Sequence, residues 1–178
     1  MRRHPEVLFA LAFAAVAGCR GVAQRPDGER GPLPTGAVAP EVVGYDADGR
    51  EVRLSQQRGH PSVVYFYPRD GTPGCTKEAC AFRDAWARFE QAHVAVIGVS
   101  ANSRDDHDAF LRGEHLPFAL VADERGVVAA AYGVRKGLFG DERVTFLIDG
   151  EGRVARYWPN VDPGVHAAEV LAATEGIH

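Results

Sequence analysis

Two cysteines five residues apart, Cys75 and Cys80, follow a turn that reads Pro68-Arg69-Asp70-Gly71-Thr72-Pro73-Gly74. The apolar run Val63-Val64-Tyr65-Phe66-Tyr67 leads into that turn. A strand that ends in a Pro/Gly turn and gives way to a helically spaced apolar run places Cys75 in the first turn of a helix. Unpaired backbone N–H groups and the positive end of the helix dipole stabilise an anion at that point, so the chemistry on offer is that of a thiolate nucleophile. Thr72 adds a hydroxyl able to donate to a bound oxygen, and Pro68 and Pro73 fix the backbone on either side of it.

Cys80 extends this chemistry to a pair. If residues 75 to 91 form one helix, about 140° of rotation and about 7.5 Å of rise separate the two positions. A disulfide needs Cα atoms within about 7 Å and converging Cβ vectors, so the bond cannot form while that helix is intact. A pair held apart when reduced, and joined only after local unfolding, suits a redox switch better than a structural staple. The alternative is a structural disulfide in an oxidising compartment, which would close only a short loop.

The same residues carry a family resemblance. The strings Tyr65-Phe66-Tyr67-Pro68, Thr72-Pro73-Gly74-Cys75-Thr76-Lys77-Glu78-Ala79-Cys80 and Phe82-Arg83-Asp84 resemble the peroxiredoxins of the bacterioferritin comigratory protein, or peroxiredoxin Q, class. The family's Pro, Thr and Cys fall on Pro68, Thr72 and Cys75. Its active-site arginine, just ahead of an apolar strand, matches Arg143 in Arg143-Val144-Thr145-Phe146-Leu147-Ile148-Asp149. The resemblance covers about residues 37–178 and includes the run from Trp158 to Leu171.

This resemblance implies a thioredoxin-like α/β fold, with a central mixed sheet and helices on both faces. It also implies a thiol-dependent peroxidase acting on hydrogen peroxide and organic hydroperoxides. Cys75 would be the peroxidatic thiolate that becomes a sulfenic acid, and Cys80 the resolving cysteine that condenses with it. Thr72, Arg143 and the Cys75 N–H would be the donors around the peroxide, where an arginine's permanent charge and planar fork suit the task. A thioredoxin-like dithiol reductant would close the cycle, no metal or organic cofactor is implied, and the subclass points to a monomer. The plainer role for Arg143 is a surface salt bridge at a strand edge.

The first nineteen residues differ in kind. Arg2 and Arg3 precede the apolar run from Val7 to Cys19, which is too short for a permanent transmembrane helix and reads as a signal peptide over residues 1–18. Its end, Val16-Ala17-Gly18-Cys19, resembles a bacterial lipobox, which implies lipidation at Cys19 and a chain anchored in the cell envelope. By resemblance to enterobacterial sorting rules, Arg20 in place of an Asp after Cys19 favours the outer membrane over the inner. Lipidation would use the odd one of three cysteines and leave Cys75 and Cys80 as the pair. Residues 20–36, rich in Gly, Pro and charge, read as a flexible tether, so the folded domain is expected over 37–178.

The whole chain carries a net charge of −4 with mixed signs and no basic block, which gives no reason to invoke nucleic acid. Periodicity places strands at 51–54, 63–67, 94–100 and 118–121, and a hairpin over 144–148 and 153–158. Helices are expected over 75–91, 103–113, 126–132 and 163–174. Trp86 and Phe89 should be core, and ordinary packing is expected of Phe66 and Tyr67. Lys77 and Glu78 are expected on a solvated helix face, while Arg83 has two readings, towards the arginine's surroundings or a local ion pair. His60, His93, His107, His115 and His166 have no ligand spacing.

Two other function classes compete. Thiol-disulfide exchange proteins of the thioredoxin kind resemble Cys-x-x-Cys, whereas four residues intervene here. Copper chaperones of the Sco kind use Cys-x-x-x-Cys and a distant His, and would leave Thr72 and Arg143 unexplained. Stoichiometric copper binding at Cys75 and Cys80 would revive that second reading.

Overall fold

The computed structural model describes residues 24–177. The signal-peptide run and Cys19 lie outside them. In chain order the elements are β1 (Val43–Tyr45), β2 (Glu51–Arg53), a 3-10 turn (Leu54–Gln57), β3 (Ser62–Phe66), α1 (Pro73–Asp84), α2 (Trp86–Gln91), β4 (Ala95–Ser100) and α3 (Arg104–Gly113). There follow β5 (Ala119–Ala122), α4 (Val127–Ala131), β6 (Lys136–Gly137), β7 (Gly140–Asp141), β8 (Val144–Ile148), β9 (Val154–Trp158) and α5 (His166–Ala173).

Seven strands form one mixed sheet in the order β2-β1-β5-β4-β3-β8-β9, and β6 and β7 form a separate small hairpin. β3, β4 and β5 run parallel, while β8 returns antiparallel beside β3. β3 and β8 are buried at every position because both faces of the sheet are covered. Alternation along β3 sends Val63, Tyr65 and Tyr67 into one layer with Cys75, Phe82, Phe89, Leu111 and Val170, from α1, α2, α3 and α5. Val64 and Phe66 enter the opposite layer with Ile97, Phe146 and Tyr132. This is the thioredoxin-like mixed sheet anticipated from the sequence.

Two local expectations are revised, and three short strands were not anticipated. The helix expected over 75–91 is two helices. Ala85 sits at φ −91°, ψ 2°, and the Arg88 N–H bonds to the Ala85 carbonyl three residues back at 3.0 Å, a tightening that breaks the axis. Residues 31–36, read as tether, are docked: Leu33 is buried in the second layer, its N–H bonds to the Tyr132 carbonyl at 3.0 Å, and the Gly36 N–H bonds to the Val154 carbonyl at 2.8 Å. Burial of Leu33 outweighs the flexibility that the surrounding Gly and Pro suggest. β1 and the β6–β7 hairpin are strands of two or three residues, too short to show a period.

Candidate active site

Thr72 is the N-cap of α1 and Pro73 its first residue, which puts Cys75 in the first helical turn as the Pro/Gly spacing required. The thiol is only 2% exposed. Arg143 reaches it because β8 pairs with β3 in the register Phe66↔Val144, so the residue preceding β8 arrives level with the end of β3, where the active-site turn begins. Arg143 Nη2 donates to Cys75 Sγ at 3.3 Å. The guanidinium therefore faces the sulfur and is not a free surface arginine. Gly74 lies against it, since a Cβ there would stand 3.4 Å from Arg143 Nη2.

Glu78 corrects the expectation of a solvated residue. It is fully buried, and its Oε2 pairs with Arg143 Nη1. Burial pushes its carboxyl up to about 7, against the pull of the Arg143 charge beside it. Its other oxygen, Oε1, has no hydrogen-bond partner among the described residues. The signal was present in the sequence: Glu78 is three residues from Cys75, so a helix that turns Cys75 inward turns Glu78 inward too. One guanidinium thus spans a sulfur and a buried carboxyl.

The turn before Cys75 is pinned by groups that sequence reasoning did not connect. Asp70 accepts from the Tyr67 hydroxyl at 2.7 Å, and its own N–H donates to Asn102 Oδ1 at 3.0 Å. His107, buried on α3, lies 2.7 Å from Asp70 Oδ2 through Nδ1 and 3.0 Å from the Val121 carbonyl through Nε2. Both ring nitrogens are thereby engaged, which fixes the orientation of the imidazole between the turn and β5. Thr72 Oγ1 donates to the Arg69 carbonyl at 3.1 Å, which braces the turn and points its proton away from any bound oxygen. Donation to a substrate requires that hydroxyl to rotate.

Pro68 holds the outer side. Gly140, at φ +128°, passes so close that a Cβ would stand 2.0 Å from the Pro68 carbonyl oxygen, which only glycine permits. The β6–β7 hairpin is thereby laid against the turn with Leu138 and Phe139 exposed at its tip. Those two residues, with Pro68, Thr72 and Asn102, wall a cavity of about 470 Å³. A second cavity, about 530 Å³, has Arg143 in its wall beside Pro32, Arg135, Glu142, Pro159 and Val161.

Cys80 is half-buried and, like the buried Cys75, free. Its sulfur faces Glu114 and not the first cysteine, and Arg83 reaches the Glu114 carbonyl at 2.8 Å as well as Asp84 at 2.9 Å. The local reading of Arg83 therefore holds. Tyr65 stacks on Tyr67 and Phe82, so an aromatic wall stands in the same layer as Cys75. Phe66 points into the opposite layer. His166 is buried and bonds to Thr145 Oγ1 at 2.8 Å. Among the described residues no cluster of three or more His, Cys, Asp or Glu side chains is placed to hold a metal.

Comparison with known proteins supplies the family. The AhpC/TSA family matches residues 35–157. Chloroplastic peroxiredoxin Q of Sedum lineare is 41% identical over 145 residues, covering 80% of this chain and 78% of that protein. The peroxiredoxin Q of Oryza sativa subsp. japonica is 41% identical over 150 residues, 83% of this chain and 69% of its own. Among solved structures, peroxidoxin BcpB of Mycobacterium tuberculosis superposes with a TM-score of 0.74 at 32% identity, covering 82% of this chain and 99% of that one. A Xanthomonas campestris peroxiredoxin Q mutant gives 0.70 at 34% identity, with 75% and 90% covered. With a thioredoxin-like sheet, a cysteine opening its first long helix and these relatives along most of its length, the chain belongs to the AhpC/TSA family as a peroxiredoxin of the peroxiredoxin Q and bacterioferritin comigratory protein class, a thiol peroxidase.

Proposed function

We propose that Cys75 is the peroxidatic cysteine, Arg143 the group that stabilises its thiolate and the charge on the departing oxygen, and Cys80 the resolving cysteine. The observation that carries this reading is the Arg143 Nη2 contact to Cys75 Sγ at 3.3 Å, made by a guanidinium that the buried Glu78 holds in place. The Cys75 sulfur attacks one peroxide oxygen, an S–O bond forms as the O–O bond breaks, and the leaving oxygen takes a proton to depart as water or an alcohol. Cys80 then attacks the sulfenic sulfur, forming the disulfide and releasing water. A thioredoxin-like dithiol returns two electrons and two protons to restore both thiols. Pro68 and Thr72 shape the turn over which peroxide enters.

Both sulfurs lie on α1, so the second step requires that helix to open. Rapid mixing of the reduced chain with one equivalent of hydrogen peroxide, followed by mass spectrometry, tests the reading. Fast loss of peroxide with a Cys75–Cys80 disulfide is expected, and Cys80→Ser should retain the first fast reduction but stop at the sulfenic acid. Sluggish oxidation, no faster than that of an unactivated cysteine, would return the pair to a structural or metal-binding role.

Location is part of the same proposal. The basic start, the short apolar run and the sequence Val16-Ala17-Gly18-Cys19 support export and lipid anchoring at Cys19, with the enzyme acting as a monomer in a bacterial envelope, outer membrane favoured. An envelope dithiol carrier then suits it better as reductant than a cytosolic one. Cys19→Ala should move the protein from the membrane pellet to the soluble envelope fraction; unchanged pelleting removes the anchor.

A further inference from the structure

The surroundings of the second cysteine are not what its chemistry alone would select. Cys80 donates its Sγ–H to Glu114 Oε2 at 3.5 Å, and Glu114 is the residue that caps the C-terminus of α3. Three residues further along α1, Arg83 Nη1 donates to the Glu114 carbonyl at 2.8 Å. Side chain and main chain of one residue thus hold two successive positions on one face of α1. The charged groups facing Cys80 are Arg83 and Asp84 on its own helix and Glu114 from α3. Burial pushes the thiol's pKa up, Arg83 opposes, and the Glu114 carboxylate adds to the rise by accepting the S–H. A carboxylate beside a future nucleophile delays it.

We propose that Glu114 is a positioning residue for the resolving step, a latch that holds the Cys80 thiol on the end of α3 and so sets how quickly Cys80 is released to meet oxidised Cys75. The proposal rests on Cys80 being the resolving cysteine. In the step it governs, the Cys80 sulfur attacks the Cys75 sulfenic sulfur, an S–S bond forms, the S–O bond breaks, and hydroxide leaves as water with the proton that Cys80 gives up. While α1 is intact the sulfurs stay apart, so Cys80 must leave Glu114 first. Time spent latched is time in which a second peroxide can carry the sulfenic acid on to the sulfinic acid, which a dithiol does not reverse.

The test uses the full chain with Glu114→Gln and, separately, Glu114→Ala, reacted with one equivalent of hydrogen peroxide, quenched with an alkylating reagent and read by mass spectrometry. Sulfenic acid formation should be unchanged. Disulfide formation should be faster by about threefold or more, the scale set by losing one weak hydrogen bond to a charged acceptor. Under excess peroxide the sulfinic yield should fall in step. In a Cys75→Ser background, alkylation of Cys80 should set in at lower pH when Glu114 is Gln, a change that mere packing would not produce. Disulfide formation unchanged or slower in both variants overturns the latch, the slower result assigning Glu114 as a proton acceptor. Absence of any Cys75–Cys80 disulfide in the wild-type chain overturns the assignment of Cys80 itself, and the latch with it.

Discussion

Cys75 and Cys80 share one helix and stand in opposite electrical surroundings. The first is buried at the positive end of α1 and faces a guanidinium; the second is half-buried further along and faces a carboxylate. Backbone dipole and side-chain charge agree at Cys75, since the helix N-terminus and the Arg143 guanidinium both turn positive charge towards the sulfur. At Cys80 the helix terminus is out of reach and Glu114 favours a protonated one. A single twelve-residue helix therefore sets one sulfur beside a guanidinium and the other beside a carboxylate, without any difference in residue type.

The comparison breaks most completely at Cys75 itself. Cys75→Ser should abolish peroxide turnover in a coupled assay, since a hydroxyl at that site has no accessible anion; retained turnover would transfer the first step to Cys80. Arg143→Ala should slow sulfenic acid formation by about a hundredfold or more, the scale of losing a charged donor aimed at a developing oxyanion. Arg143→Lys should recover part of that rate through charge alone, because a lysine cannot span Cys75 and Glu78 at once.

The smallest effect sharpens the contrast. Glu78 has a folded-state pKa of about 7, above its ordinary 4.5, so the folded protein holds a proton that the unfolded chain releases between those values. Stability contributed by neutral Glu78 is then fully present below about 4.5 and is lost as pH rises towards 7. Glu78→Gln should remove that slope from the urea midpoint, leaving wild type and variant to diverge across this window. Parallel curves would mean that Glu78 is ionised throughout.

Legibility followed the strength of local punctuation. The Pro/Gly turn before Cys75 announces a helix start, and the continuous apolar run after Arg143 announces a buried strand. The break at Ala85 has no Gly or Pro to mark it, and the Leu138–Phe139 hairpin has strands of only two residues. Glu78 was misread by residue type, although its spacing from Cys75 held the answer. The Asp70–His107 and Cys80–Glu114 contacts join segments more than thirty residues apart. No local pattern encodes them, because only the tertiary fold brings the end of α3 to α1 and to the turn before it.

If α1 opens to join Cys75 and Cys80 as proposed, the interruption at Ala85 confines the disturbance to that helix. Opening α1 frees the backbone from Pro73 to Asp84, but the next helix has its own hydrogen bonds and anchors Phe89 in the core. Amide exchange should therefore quicken in the first helix on disulfide formation and stay slow in the second. Refolding after reduction is then a matter of rewinding one short segment onto a sheet that never came apart.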